Sequence, residues 1–260
     1  MPLSRMELKN VKSLLTKKGR NTTKMFIAEG IRLMEESLRH GFFPSSVYYT
    51  PVLLSERGFS VLDKFIRKNI KTTQISLSQM TAISDTQSPQ GIVGVFEIPD
   101  QNLKEPYPKN YRNILVCENI SDPGNLGTLL RTALAFNFGM ILLCGDCVEV
   151  FSPKVIRSTA GAVFGLKICK VNLKELGLFI NKTEATAVAA AIDGTSWSES
   201  WEKIQKGSPR LLIIGSEADG LSLEILNIAT VILRISHSGK VESLNAAVAG
   251  SIIMKQIYDL

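Results

Sequence analysis

Six short, nearly unbroken apolar runs follow one another after Asn113, at residues 114–118, 140–144, 166–171, 187–192, 211–214 and 231–235. No other feature restricts the fold as much. A strand with one wet face alternates apolar and polar residues, so runs without alternation predict strands covered on both faces, as in a parallel sheet flanked by helices. Helical patterns lie between the runs, and a final one from about Ser243 to Tyr258 closes the chain.

A smaller α/β pattern stands ahead of this series. Leu8, Val11, Leu14 and Leu15 form the stripe of an opening helix, followed by a basic turn, Lys17-Lys18-Gly19-Arg20. Strands are expected at 25–28, 46–50, 73–76 and 91–97, with a helix opening at Glu29-Gly30 and running to Arg39. Residues 100–112, DQNLKEPYPKNYR, are polar and aperiodic with two prolines, and read as a linker. The expected division is therefore a small α/β domain over 1–99, a linker over 100–112 and a larger α/β domain over 113–260.

Charge is unevenly placed. Residues 1–72 hold 14 Lys/Arg against 6 Asp/Glu, whereas the other 188 residues hold 16 against 18. A basic front module on a near-neutral back half fits docking to a polyanion; a solvated charged surface has the same composition. No apolar run approaches the roughly 18–20 residues that cross a bilayer. No apolar core of a secretory signal follows Met1, and four cysteines in 260 residues make no disulfide scaffold. A soluble cytoplasmic protein without a membrane partner is expected.

Several chemistries lack their signatures. There is no G-x-G-x-x-G and no G-x-x-x-x-G-K-[ST], and no serine sits on a G-x-S-x-G elbow. Cys144-Gly-Asp-Cys147 has zinc-knuckle spacing without a second Cys or His pair nearby, so Cys144 reads as a core thiol and no metal is expected. What remains are three strand-to-helix junctions, at the strand ends where parallel sheets place their ligands. The first runs from Glu118 to Arg131 (ENISDPGNLGTLLR): Pro123-Gly124 turn, a helix begins near Asn125, and Arg131 interrupts an apolar stretch, as a functional cation or as a helix-edge arginine reaching for solvent. That helix ends at Asn137, a residue that tolerates a left-handed cap. The second, GSEADG, brackets Glu217 between Gly215 and Gly220; Gly215 permits close approach of a ligand, and Glu217 serves either a site or the cap of the next helix. The third, VESLN, places Ser243 as a cap of the last helix and Asn245 in its first turn.

In this order the three junctions resemble the motifs of the SpoU/TrmH family of RNA ribose methyltransferases, within the SPOUT superfamily. Asn125, Gly127 and Arg131 match N-x-G-x-x-x-R; Gly215 to Gly220 match G-S-E-x-x-G; Val241 to Asn245 match V-E-S-L-N. Lys18, Arg20, Phe26, Glu29, Gly30 and Arg32 resemble the family's substrate-binding domain, and the segment from Ser152 to Gly161 a further stretch. The chain departs from the family with Ile235-Ser236-His237 in place of Ile-Pro-Met, Asn137 in place of glycine, and Ala246-Ala247 in place of Val-Ser.

The resemblance implies a C-terminal parallel-sheet domain tied in a deep trefoil knot, an N-terminal RNA-binding domain, a homodimer, and S-adenosylmethionine held near Ala191, Ile192, Gly215, Ile235 and Leu244. It implies methyl transfer to a ribose 2′-hydroxyl, with large-subunit rRNA as the expected substrate. The expected catalytic set is Arg131, Asn125, Glu217, Ser243 and Asn245. Arg131 would stabilise the developing alkoxide or a neighbouring phosphate, since guanidinium stays protonated; Asn125 and Asn245 would orient Arg131 and the ribose; Glu217 would fix Arg131 or a dimer contact. Lys17, Lys18, Arg20, Arg32 and Arg157 are the expected RNA contacts, Arg157 alternatively meeting the cofactor carboxylate. Rival readings are a tRNA 2′-O-methyltransferase, a base-nitrogen methyltransferase of the same superfamily, and a non-catalytic RNA-binding ribosome-assembly protein.

Overall fold

A computed structural model describes residues 3–107, 110–206 and 209–260. In chain order the first elements are α1 (Arg5–Ser13), α2 (Lys17–Thr23), β1 (Met25–Glu29), α3 (Ile31–Arg39), β2 (Ser46–Tyr49), α4 (Glu56–Arg67), β3 (Lys71–Gln74), α5 (Leu77–Ile83) and β4 (Ile92–Glu97). Then come β5 (Asn113–Glu118), α6 (Pro123–Ala135), β6 (Met140–Cys144), α7 (Pro153–Ser158), β7 (Lys167–Val171), α8 (Leu173–Thr183) and β8 (Thr186–Thr195). The last are α9 (Trp197–Lys206), β9 (Arg210–Ile214), α10 (Leu223–Ile228), β10 (Val231–Leu233) and α11 (Ala246–Tyr258). Among the described residues no helix is long and apolar enough to cross a membrane.

The chain divides into two compact units. The first comprises Met1–Pro99 together with Glu149–Gly165; the second comprises Asp100–Val148 and Leu166–Leu260. In the first, β1-β4-β2-β3 form one sheet, antiparallel except for the β2–β3 pair. The later segment belongs here because its aromatic rings do: Phe151 lies 4.8 Å from Phe26 and Phe164 lies 5.1 Å from Phe96, centroid to centroid. Burying such rings together is worth more than their area alone. Sequence order gave no sign of this return.

The basic stretch expected as a turn is the helix α2. Thr16 Oγ1 accepts from the Gly19 amide at 3.1 Å and caps it, and Lys24 ends it at φ 56°. A β-carbon on Gly19 would meet Ser13 O at 2.0 Å, so only glycine fits this contact between α1 and α2. Strand β3 lies two residues earlier than expected. It is a half-exposed edge strand whose pattern carries little hydrophobic signal, and Ser76 instead caps α5 in a capping box with Gln79.

The second unit holds the six-stranded sheet, order β10-β8-β9-β5-β6-β7, parallel throughout. Strands β5, β6 and β9 are buried at every residue, as their unbroken apolar runs require. The segment expected to be a linker is seated on this unit: Gln101 O accepts from the Lys170 amide at 2.8 Å, and Tyr107 packs edge-on to Phe179 at 4.8 Å. Pro108 and Lys109, within that expected linker, lie outside the described residues. Strand order reverses at β5 and β9: β6 and β7 lie beyond β5, whereas β8 and β10 lie beyond β9. The crevice at such a switch point, over the carboxyl ends of the strands, is where open α/β sheets bind ligands.

Candidate active site

Three loops converge on that crevice. After β5, Asn119 turns through φ 53° and its Oδ1 accepts from the Asp146 amide at 2.8 Å. Asp122 then caps α6, accepting from the Asn125 amide at 2.8 Å, with Pro123 in the first turn. The helix therefore starts two residues earlier than the sequence indicated, and Asn125 already lies within it. Its far end is as expected, with Asn137 left-handed at φ 61°.

The loop after β9 is a tight return. Ser216 and Gly220 exchange backbone hydrogen bonds, each 3.1 Å, and Gly220 has φ +68°. A β-carbon on Gly215 would stand 2.2 Å from Gly220 O. What demands glycine here is thus the loop's own backbone rather than an approaching ligand. The loop is anchored by Glu118, buried at the end of β5, whose two carboxylate oxygens accept from the amide and hydroxyl of Ser222 at 2.9 and 2.6 Å. Ser222, not Glu217, caps α10. The anchor was missed in the sequence; the signal available was a carboxylate ending a strand buried on both faces, which needs a partner.

The third loop delivers α11, and its cap is Asn245. Oδ1 of that side chain accepts from the amides of Ala247 and Val248 at 3.0 and 3.2 Å, so Ser243 does not cap the helix. Nδ2 of Asn245 donates to Glu217 Oε1 and, at 3.1 Å, to Asn125 Oδ1. Asn125 Nδ2 donates to the same Glu217 oxygen at 2.7 Å. One side chain from each junction thus meets in a single hydrogen-bonded cluster. Glu217 does not fix Arg131: its partners are the two asparagines. Arg131 is exposed on α6 and makes no hydrogen bond or ion pair among the described residues.

Beside the cluster lies a cleft of about 510 Å³. Ala191, Ile192, Gly215, Ile235 and Leu244 all line it, as do Glu217 and Ser243. A second cavity of about 450 Å³ adjoins it, walled by Asn119, Ser121, Asp122, Asn125 and Asp146 and sharing Ser216 through Asp219 and Ala246 with the first. Both fall in the size range of small-molecule sites.

The expected RNA contacts separate. Lys17, Lys18 and Arg32 are exposed. Arg20 is not available to a phosphate: it is 3% exposed, donates from Nε and Nη2 to both carboxylate oxygens of Glu149 at 2.8 and 2.7 Å, and from Nη1 to Leu14 O at 2.7 Å. Burial forces a guanidinium to find such partners. Arg157 is half-buried in the first unit, paired with Asp85, and lines neither cavity. The cysteines near β5 and β6 are held as thiols. Burial pushes Cys144 up to about 11 and Cys117 well above its ordinary value, and raises Cys147 as well.

The model of the SpoU rRNA Methylase family matches residues 112–255 of this chain. The chain belongs to the SpoU family. The MRM3-like substrate binding domain matches residues 5–94, ahead of the SpoU methylase part. Relatives of this SpoU protein include an uncharacterized tRNA/rRNA methyltransferase of Synechocystis, 32% identical over 95% of this chain and 88% of the relative. The 23S rRNA (guanosine(2553)-2′-O)-methyltransferase RlmP of Bacillus subtilis is 28% identical over 95% of this chain and 94% of its own length. An AdoMet-bound rRNA methyltransferase from Sinorhizobium meliloti shares the SpoU fold at a TM-score of 0.85, with 27% identity, covering 100% of this chain and 96% of that one.

Proposed function

We propose that this protein transfers a methyl group from S-adenosylmethionine to a ribose 2′-hydroxyl of large-subunit rRNA. One observation carries the reading: Asn125, Glu217 and Asn245, one from each family motif, are bonded together beside a cleft lined by all five positions expected to hold the cofactor. The relatives and the solved neighbour named above support the reaction and the substrate class.

The cleft suits the cofactor. Small residues, Ala190, Ala191, Ala246 and Ala249, let a ligand approach the backbone, and Ile192, Leu233, Ile235 and Leu244 offer apolar surface to an adenine. When bound, S-adenosylmethionine supplies an electrophilic methyl group on a sulfonium. The protein's task is then to align a ribose oxygen with it, in the adjoining polar cavity, and to manage one proton. Arg131, unpaired and exposed, stabilises negative charge on the ribose oxygen or its phosphate; Ser243 contributes from the cleft wall.

Lys17, Lys18 and Arg32 contact RNA phosphates from the first unit, in keeping with its excess of basic residues. A second copy of the chain covers the exposed side chains Val248, Ile252 and Tyr258 of α11, making a homodimer. The trefoil knot and a cytoplasmic site of action belong to the same reading. Calorimetric titration with S-adenosylmethionine, followed by transfer of its labelled methyl group to large-subunit rRNA lacking the mark, tests it. Wild type should bind and transfer, and Arg131→Ala should bind the cofactor and lose transfer at least 100-fold. Arg131→Ala turning over at the wild-type rate would remove Arg131 from the chemistry, and wild type that binds cofactor without methylating any RNA would favour a non-catalytic role.

A further inference from the structure

The proton on the 2′-hydroxyl needs an acceptor, and the geometry points to Glu217. This rests on the ribose-methyltransferase reading above. Glu217 belongs to both cavities, the one suited to the cofactor and the polar one beside it, so it stands where a nucleophile and a methyl donor would meet. Its two oxygens are unequal. Oε1 accepts from Asn125 Nδ2 and Asn245 Nδ2, whereas Oε2 has no hydrogen-bond partner among the described residues. The asparagines are themselves fixed, Asn125 in the first turn of α6 and Asn245 as the cap of α11. Two neutral donors on one oxygen hold a carboxylate without neutralising it, and the second oxygen is left as a positioned base.

Other groups fit less well. Arg131 cannot accept a proton, because guanidinium is effectively always charged. Asp122 lines only the polar cavity and not the cofactor cleft, and it caps α6. Asp219 lines both cavities, but among the described residues no side chain is hydrogen-bonded to its carboxylate, and its amide donates to Ser216 Oγ. His237 lines only the cofactor cleft, with Nδ1 engaged by the Gly239 amide at 3.2 Å.

The step balances. As the 2′-oxygen bonds to the methyl carbon, the carbon–sulfur bond breaks with its electron pair kept by sulfur, and the hydroxyl proton passes to Oε2. The positive charge lost at sulfur is offset by protonation of one carboxylate, which returns its proton to water after release. A carboxylate suffices because an oxygen already bonding to carbon is far more acidic than a free alcohol.

Glu217→Gln tests this directly, since the amide oxygen can still accept from both asparagines while the base is gone. The expected result is a kcat at least 100-fold lower, with calorimetric Kd values for S-adenosylmethionine and for RNA within threefold of wild type. Glu217→Asp, with a shortened carboxylate, should recover part of the rate. Wild-type single-turnover rates should show a solvent deuterium isotope effect that Glu217→Gln lacks. A Glu217→Gln kcat within fivefold of wild type would overturn the assignment. So would a rate loss accompanied by an equal loss of cofactor affinity, which would make Glu217 a clasp between the loops. These outcomes are read against wild type first yielding a 2′-O-methyl nucleoside; no such product from wild type would sink the underlying reading, and this one with it.

Discussion

Gly215 and Gly220 end the same short loop, yet the structure demands glycine at each for a different reason, and the two substitutions to alanine should separate accordingly. In Gly215→Ala the new carbon would lie 2.2 Å from Gly220 O, 2.4 Å from Gly220 C and 2.7 Å from the Leu221 amide nitrogen. All three are backbone atoms, so no side chain can swing aside, and the loop must move by more than an ångström. That movement breaks the two reciprocal bonds between Ser216 and Gly220. Overpacking of this kind costs about 1–3 kcal/mol, and each lost hydrogen bond about 0.5–1.5 kcal/mol. A loss of roughly 2–6 kcal/mol is expected, with the position of Glu217 lost as well. In Gly220→Ala the added carbon meets nothing within 4 Å, and only the left-handed φ of +68° opposes it. That costs about 1–2 kcal/mol and leaves the loop in place. Urea unfolding measures the stabilities, and calorimetric titration with S-adenosylmethionine measures the cleft. Gly215→Ala should lose cofactor binding at least tenfold, and Gly220→Ala should change it little. Equal, small losses of stability in the two variants would refute the steric argument.

Three further outcomes follow from the same geometry. Glu149→Ala leaves the buried Arg20 guanidinium without its carboxylate and should cost about 3–5 kcal/mol in urea unfolding, while the double variant Arg20→Met/Glu149→Leu should recover most of it. Asn245→Ala removes the cap of α11 and should cost about 1 kcal/mol; Ser243→Ala should stay within about 0.5 kcal/mol. For the buried thiols, at pH 8 no more than one of the four cysteines should react rapidly with a thiol reagent in the native protein. Cys144 is raised from 9.0 to about 11 in the fold, so the folded state holds its proton more tightly. Its contribution to stability is full below about pH 9 and is lost as pH rises towards 11. The fall in urea midpoint over that range should be shallower in Cys144→Ala, and an unchanged slope would contradict the assignment.

Legibility in the sequence followed burial. Strands covered on both faces, such as β5, β6 and β9, announce themselves because nearly every residue is apolar, the buried exceptions Asn113, Glu118 and Arg210 standing at strand ends. The edge strand β3 is half-exposed and carries no such constraint, so its bounds lie two residues from those expected. The five positions that the family resemblance assigns to the cofactor, Ala191, Ile192, Gly215, Ile235 and Leu244, come from the motifs rather than from periodicity, and all of them line one cleft. Pairings across long separations were not. Nothing near Arg20 foretells Glu149, nor does anything near Arg157 foretell Asp85, so both arginines stand among the expected RNA contacts although each has a carboxylate partner within the fold. The same limit hid Glu118 and Ser222, 104 residues apart. Capping was a closer miss: Ser243 and Asn245 are both good caps, and only the backbone at the start of α11 decides between them.

The central claim is the identity of the product. Large-subunit rRNA lacking the modification should be incubated with the protein and methyl-labelled S-adenosylmethionine, digested to nucleosides and read by mass spectrometry. The account predicts a single labelled nucleoside with the methyl group on the ribose 2′-oxygen. A label on a base nitrogen would contradict the reaction while leaving the fold intact, and label found only in tRNA would contradict the substrate.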